Sequence, residues 1–579
     1  MAVALTEPPR RILILGGYGT FGGRLARLLV SEPALTLLIA GRSAAAARSF
    51  CMALPAGAAR SAEVLDRDGD LEARLREIAP DVVVDATGPF QAYGADPYRV
   101  VRAALACGAH YLDLADGSAF VRGIARFDDE ARRRGLVVLS GASSFPLLTA
   151  AAVRHLAHDF ARVHAITGGI APSPHARVGL NVMRAIAGYA GQPIAVTRDG
   201  REAQARAFVE TRRRTVAPPG AMPLVPRVFS LVDVPDLRLL ADLRPEVRSV
   251  WMGAAPAPAA LHRLLRWLAR AVSLRLVPSL APFAALMHRT LRVLHWGEHR
   301  GGMFVEVEGE RRGEPVRRSW HLVAEDDDGP FIPSMAVAGI LRRWHAGRAP
   351  APGARPALRE LELADYEALF ARRRIATGCR SDAQTDGLYR RLLGESWSAL
   401  PIALRSLHAA PQLRARGKAT VVRGAGLLAR AAARLFRFPA AAEQVDVEVL
   451  IERREGSELW TRDFGGRRFS SVQFAGGGRS EWLLCERFGP FVFGMALVVD
   501  ASRLRYVVRR WTCCGIPLPR ALGPSTEASE FEEAGRFRFS VEIASPLTGL
   551  IVRYSGFLDP VTDARAGLAQ AQAAEPAPA

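Results

Sequence analysis

The chain has 579 residues, 49% hydrophobic and 23% charged, which is the composition of a folded globular protein long enough for several separate cores. Its formal charge of +19 does not point to nucleic acid. Lys418 is the only lysine, the other 76 basic residues are arginines spread along the chain, and no RNP-like, helix-turn-helix or zinc-finger pattern accompanies them. Six cysteines without a C-x-x-C, no apolar run of roughly 18 residues, and a start without an apolar h-region argue against a disulfide framework, a membrane span and a signal peptide, so a reducing cytoplasm is expected.

The first element is a short apolar strand, 11–16, opening into Gly16-Gly17-Tyr18-Gly19-Thr20-Phe21-Gly22-Gly23 and then a helix over 23–30. Gly17, Gly19 and Gly22 form a G-x-G-x-x-G with a strand before it and a helix after it, the context a dinucleotide fingerprint requires. Gly17 permits the tight turn, Gly19 lets the backbone approach a pyrophosphate, and Gly22 brings the helix against the strand. The helix N-terminus, with Thr20 and Phe21, is then left to hold the phosphates. The second strand, 35–40, ends in Gly41-Arg42-Ser43 without the Asp or Glu that holds a ribose 2′-OH. Arg42 and Ser43, with Arg48 beyond them, suit a 2′-phosphate, so NADP(H) is expected over NAD(H). Strands follow at 62–66, 81–86, 110–114 and 136–141, with helices such as 70–78 and 97–107 between them. This alternation is that of an α/β Rossmann domain over 1–148, a doubly wound parallel sheet. On its C-terminal rim Asp66, Thr87, Gly88, Pro89 and Phe90 are expected to line the cofactor. Tyr93, Asp113 and Asp116 are the candidate catalytic residues, with Ser143 and Ser144 nearby. The competing readings are a loop cap for Asp113, packing for Tyr93, and helix capping for the serines.

Beyond residue 150 the pattern loosens into an α+β arrangement over 149–375. It shows a helix at 150–160, a strand at 165–170, a hairpin of 303–308 and 317–324, a helix at 334–345, a surface loop at 346–357, another helix within 358–374, and a polar linker at 375–385. Residues 259–272 place Arg263, Arg266 and Arg270 on one helical face and Leu261, Leu264, Leu265, Leu268 and Val272 on another. A short apolar segment, 276–287, follows, broken by Pro278 and Pro282. Two readings stand: a substrate-domain helix with a solvated arginine face, or a basic amphipathic helix in peripheral contact with a membrane through 259–287. The second would make the substrate lipid-like. From 386 to 560 helices give way to short alternating segments, which predict a mostly antiparallel β domain, sheet or barrel, and 561–579 reads as a disordered tail. No metal is expected. His155 and His158 lack a third ligand, and His295-Trp-Gly-Glu-His299 spells H-x-x-E-H but needs a helix that Gly297 opposes.

Gly16–Gly23, Gly88-Pro-Phe-x-x-Tyr-Gly94 and Gly108-Ala-His-Tyr-Leu-Asp-Leu114, in this order, resemble the saccharopine dehydrogenase-like oxidoreductases over 11–150. A looser match runs to about residue 375 through Arg300-Gly-Gly-Met303 and Gly329-Pro-Phe-Ile-Pro333. The resemblance implies a Rossmann domain, a substrate and dimerisation domain that would make a homodimer, and NADP or NAD as cofactor. The chain departs from the family where Asp116-Gly117 replaces a Gly-Glu pair and where Gly141-Ala-Ser-Ser-Phe-Pro146 lacks the acid of the usual turn. Both departures argue against an amino-dicarboxylate substrate. Residues 386–560 resemble an uncharacterised domain found fused behind such oxidoreductase modules. The function expected is NADP(H)-dependent hydride transfer to or from a hydrophobic or lipid-like small molecule. The alternative is a non-catalytic NADP-binding or sensing module whose C-terminal domain binds a partner or lipid.

Overall fold

The computed structural model describes residues 8–176, 179–294, 296–382, 387–410 and 412–561. The chain divides into two compact units, 1–216 with 227–377, and 217–226 with 378–579. The tail expected from 562 onward and His295 of the H-x-x-E-H spelling lie outside the described residues.

In the first unit, β1 (Arg11–Leu15), β2 (Thr36–Gly41), β3 (Ala59–Val64), β4 (Val82–Asp85), β5 (His110–Asp113) and β6 (Val137–Ser140) run parallel in the order β6-β5-β4-β1-β2-β3. Ile12 to Leu15 and Val82 to Val84 are buried without alternation, as strands covered on both faces must be. The order reverses between β1 and β4, and their C-terminal ends bound the crevice where such folds bind ligands. Part of the expected loop at 346–357 is instead a seventh, parallel strand: Gly353–Pro356 pairs with β6. Its Pro356 is tolerated because the strand lies at the sheet edge.

A second, mixed sheet is built around Arg162–Ala171, which pairs in parallel with Ser249–Ala254 and antiparallel with Arg300–Arg311. The expected hairpin is present and longer than its apolar cores suggested, Arg300–Arg311 with Glu314–Glu325. The expected linker at 375–385 begins as a strand, Ile375–Ser381. In the helix Ala259–Ser273 the buried face is His262, Leu265, Ala269 and Val272, the spacing of one helical stripe. Leu264 and Leu268, expected on that face, instead project outward beside Trp267, at 56%, 37% and 72% exposure. Among the described residues no helix is long and apolar enough to cross a membrane.

In the second unit ten antiparallel strands between Gln412 and Pro560 close into a barrel, because Phe491–Asp500 pairs with both Leu484–Phe488 and Arg503–Cys513. Gln412–Arg423 lies in the stretch expected to open with helices, ahead of the alternating segments, and is a strand. Its apolar residues Leu413, Ala415, Ala419 and Val421 keep strand parity, but they alternate with arginines and small residues that blur the signal. Ser525–Glu533, too polar to read as a strand, is held in register by its neighbour Arg536–Ser545.

Candidate functional site

The end of β1 is built by backbone that only glycine permits. Gly16 has φ +78° and lies against the β4 end, where a Cβ would stand 3.1 Å from the Ala86 carbonyl oxygen. A Cβ on Gly17 would stand 2.8 Å from the Ile14 oxygen, and one on Gly22 would run into the Gly16 carbonyl. The turn is closed by Gly19 N–H donating to the Gly16 oxygen at 2.8 Å. The helix Gly22–Leu29 then starts with no side-chain cap and no acid in its first turn. The N–H groups of Thr20, Phe21 and Gly22 have no hydrogen-bond partner among the described residues. Three free donors at a helix N-terminus, over a floor with no room for side chains, fit a pyrophosphate.

At the end of β2 the ring of Tyr18 lies over Gly41, whose Cβ would overlap it, and the Tyr18 hydroxyl accepts from Ser43 N–H at 2.9 Å. Ser43 caps the next helix by accepting from Ala46 N–H at 3.2 Å. Arg42 is exposed, and among the described residues its guanidinium has no partner. Asp66 is exposed at the end of β3, where it accepts from Asp68 N–H at 3.2 Å.

The ends of β4 and β5 carry adjacent, fully buried carboxylates, Asp85 and Asp113. Asp85 accepts from Thr87 N–H at 3.0 Å, from the Thr87 hydroxyl at 2.7 Å and from Tyr93 at 3.2 Å. Burial raises its pKa against those bonds. Asp113 takes Gly141 N–H at 2.7 Å and Ala115 N–H at 2.9 Å on one oxygen, while the other has no hydrogen bond among the described residues. Burial pushes its pKa up to about 7. Tyr93 is buried, with its ring 4.7 Å from Phe90 and the Arg67 guanidinium 3.9 Å over its face; burial and then Asp85 raise its pKa.

A second acidic group lies on the rim. Gln91 donates to Asp116 at 3.0 Å, and the Ser118 hydroxyl donates to Asp233 at 2.7 Å. Solvent reaches Asp116, yet desolvation by the surrounding protein is the leading cause that raises its pKa, and the Asp233 charge adds to it. Burial likewise raises Asp233. Tyr189 is raised by burial, then by Asp116 and Asp233. Tyr189 ends the helix Leu180–Tyr189, whose start meets the crevice: Asn181 donates to the Gly88 carbonyl at 3.1 Å, and a Cβ on Gly179 would lie 3.8 Å from the Thr20 hydroxyl. One helix of ten residues, about 15 Å long, therefore links the fingerprint to the acidic group.

Residues 12–139 match the family described as the saccharopine dehydrogenase NADP binding domain, and residues 400–558 match one described as a domain of unknown function, DUF4166. The chain thus carries a match to the saccharopine dehydrogenase NADP binding domain family in its first unit and a match to DUF4166 in its second. No curated protein matches it in sequence. Similar solved structures include the WlbA (WbpB) dehydrogenase from Thermus thermophilus in complex with NAD and alpha-ketoglutarate, at 13% identity and TM-score 0.30, covering 63% of this chain and 94% of that one. Another is biliverdin reductase from Synechocystis sp. PCC 6803 with biliverdin and NADP+, at 13% identity and TM-score 0.27, covering 62% and 98%. A protein of the DUF3598 family from Nostoc punctiforme PCC 73102 covers 45% of this chain and 67% of its own, at 8% identity and TM-score 0.19.

Within the first unit the structure brings Gly17, Gly19, Thr20, Phe21 and Gly22 to the crevice, against Thr87, Gly88 and Pro89 at the β4 end. Phe90 instead turns its ring into the core, 5.1 Å from Phe120. Arg42, Ser43 and Asp66 sit on the outer rim of β2 and β3. Tyr93 and Asp113 are buried, whereas Asp116 is exposed and accepts from Gln91. Tyr18, Gln91, Asn181, Tyr189 and Asp233 were not singled out from sequence. Tyr18 and Gln91 stand inside the motifs at variable positions, and the other three come from irregular segments with no motif to mark them.

Proposed function

We propose that the chain is an NADP(H)-dependent oxidoreductase that transfers hydride to or from an apolar, lipid-like small molecule. The observation that carries the reading is the row of unpartnered N–H groups at Thr20, Phe21 and Gly22 in the crevice between β1 and β4. When bound, the nicotinamide supplies the hydride donor or acceptor. Arg42 and Ser43 replace the acid that would choose a free ribose, and they hold the 2′-phosphate. The chain's remaining task is to move the proton that accompanies hydride. A carbonyl carbon that gains hydride leaves an oxygen that must gain a proton, and an alcohol loses both in the reverse direction.

Asp116 is the group we assign to that proton. Its raised pKa keeps a proton available closer to neutrality than an ordinary carboxyl would, and Asp233 beside it disfavours two simultaneous charges. Gln91, which donates to it, orients it. Tyr93 and Asp113 are positioning residues: the first holds the Thr87 turn through Asp85, and the second ties the β5 end to Gly141. The outward apolar residues Leu264, Trp267, Leu274, Leu276 and Leu286, interleaved with Arg263, Arg270, Arg275 and Arg289, support peripheral contact of this face with an anionic membrane, a source of such a substrate.

The test is calorimetric titration of the full chain with NADPH, NADP, NADH and NAD, followed by turnover with medium-chain aldehydes, ketones and alcohols. Binding of the phosphorylated pair and multi-turnover oxidation or reduction are expected. Asp116→Asn should lower kcat at least tenfold with the NADPH Kd unchanged. Cofactor binding with no turnover across the panel would replace this reading with the non-catalytic NADP-binding module.

A further inference from the structure

The closed barrel of the DUF4166 domain is not filled by its side chains. It encloses a cavity of about 290 Å³, close to the lower end of the range for small-molecule sites. The walls are apolar and aromatic: Phe438, Phe464, Phe493, Met495, Phe539 and Ile543 are among them. At one end Leu522 and Pro524, from the connection after Arg503–Cys513, and Thr548, from the final hairpin turn, line the same space. Leu522 is 48% exposed, so this end opens to solvent.

The opposite end is floored by polar groups. Helices Leu388–Leu393 and Ile402–Ala409 supply Tyr389 and His408, stacked at 3.8 Å. Tyr389 donates to Gln473 at 2.8 Å, Tyr506 donates to Tyr389 at 3.3 Å, and His408 pairs with Glu530 at 2.6 Å. Beside them Arg462 donates to Ser471 at 2.8 Å and to Glu486 at 3.2 Å, and Ser471 and Gln473 also donate to the same Glu486 oxygen. The described bonds engage two of the five N–H donors of Arg462. Its guanidinium lies 5.1 Å over Trp460 and lines the cavity.

We propose that this cavity is a binding site, separate from the dinucleotide crevice, for an uncharged amphiphile whose hydroxyl or carbonyl oxygen is held at the Arg462–Tyr506 floor and whose apolar body fills the barrel. The walls disfavour a ligand that is polar along its length, since above the floor the lining offers only the hydroxyls of Thr526, Ser545 and Thr548 to pair with it. The floor excludes a carboxylate. Glu486 already neutralises Arg462, and Glu530 faces His408, so a further negative charge would enter low-dielectric surroundings with no free cation to meet it. An oxygen acceptor takes the unengaged Arg462 donors without that cost. The proposal is independent of the oxidoreductase reading.

The experiment uses the full chain and the neutral dye Nile red, with 1-dodecanol, 2-dodecanone, dodecanoate and dodecane as competitors. Saturable dye binding is expected, displaced by the alcohol and the ketone at concentrations at least tenfold below those needed for dodecanoate or dodecane. Ile543→Trp, which fills the cavity from its wall, should weaken dye binding at least tenfold while its Tm and NADPH Kd stay at wild-type values. Tyr506→Phe, a milder floor change, should narrow the preference for dodecanol over dodecane and leave dye binding intact. Unchanged dye affinity in folded Ile543→Trp, or dodecanoate competing as well as dodecanol, would overturn the proposal. Loss of NADPH binding in the wild type would not touch it.

Discussion

Replacing Arg42 by Ala tests the cofactor assignment at one atom group. Arg42 stands exposed and unpartnered at the end of β2, on the rim where the adenosine ribose of a dinucleotide lies in this fold. A charge-assisted hydrogen bond is worth about 1.5–3 kcal/mol, and solvent around an exposed guanidinium favours the lower figure. About 1.5 kcal/mol is roughly a tenfold change in Kd. Arg42→Ala should therefore weaken NADPH about tenfold and change NADH less than about twofold, measured by calorimetry at low salt. The difference between the two cofactors should shrink as salt rises, because the Debye length is already about 10 Å at 0.1 M. Arg42→Asp should go further and invert the preference, since an acid at this place accepts from a free 2′-OH. Equal losses for NADPH and NADH, or no loss for either, would refute the assignment of Arg42 to the 2′-phosphate.

Three further outcomes are expected. Gly22→Ala drives a Cβ into the Gly16 carbonyl, a backbone atom that cannot swing aside, so it should destabilise the first unit by about 1–3 kcal/mol and abolish NADPH binding; a wild-type melting curve with intact binding would contradict the cradle. Asp113 is raised to about 7 against about 3.9 in an unfolded chain, so the native state holds a proton that the unfolded state has lost between those values. Stability should fall as pH rises through about 4 to 7 and level off above, and Asp113→Asn should flatten part of that slope in urea midpoints, with Asp236, raised to about 7 by the same burial, retaining the rest. Trp267→Glu with Leu276→Glu should reduce co-sedimentation with vesicles containing anionic lipid by at least fivefold, with no change in Tm; light scattering of the wild type without lipid tells a membrane face from a dimer interface.

The parts of this molecule legible in its sequence are those where chemistry forces a local pattern. Parallel strands buried on both faces must be uninterrupted apolar runs, so β1, β2 and β4 stand out, and the crevice between them follows from their order. The cradle was legible because three glycines are needed where no Cβ fits. The acidic group on the rim was not. Asp116 lies in a recognisable turn, but its electrostatic neighbours Asp233 and Tyr189 arrive from elements 117 and 73 residues away, and no periodicity ties them to it. The same contrast runs through the barrel. Strands such as Arg536–Ser545, where Phe537, Phe539, Val541 and Ile543 alternate with polar residues, are visible, whereas Gln412–Arg423 and Ser525–Glu533 are strands because their neighbours supply the hydrogen-bonding edges. Arg462, Gln473 and Glu486 occupy inward positions where an apolar residue is the rule, and they read in sequence as breaks in the pattern. Charged residues kept at inward positions, in mutual hydrogen-bond contact and facing an unfilled space, contradict a purely structural barrel core, in which shape-matched apolar residues would serve as well or better. These interruptions of the apolar pattern are the residues that give the cavity its chemistry.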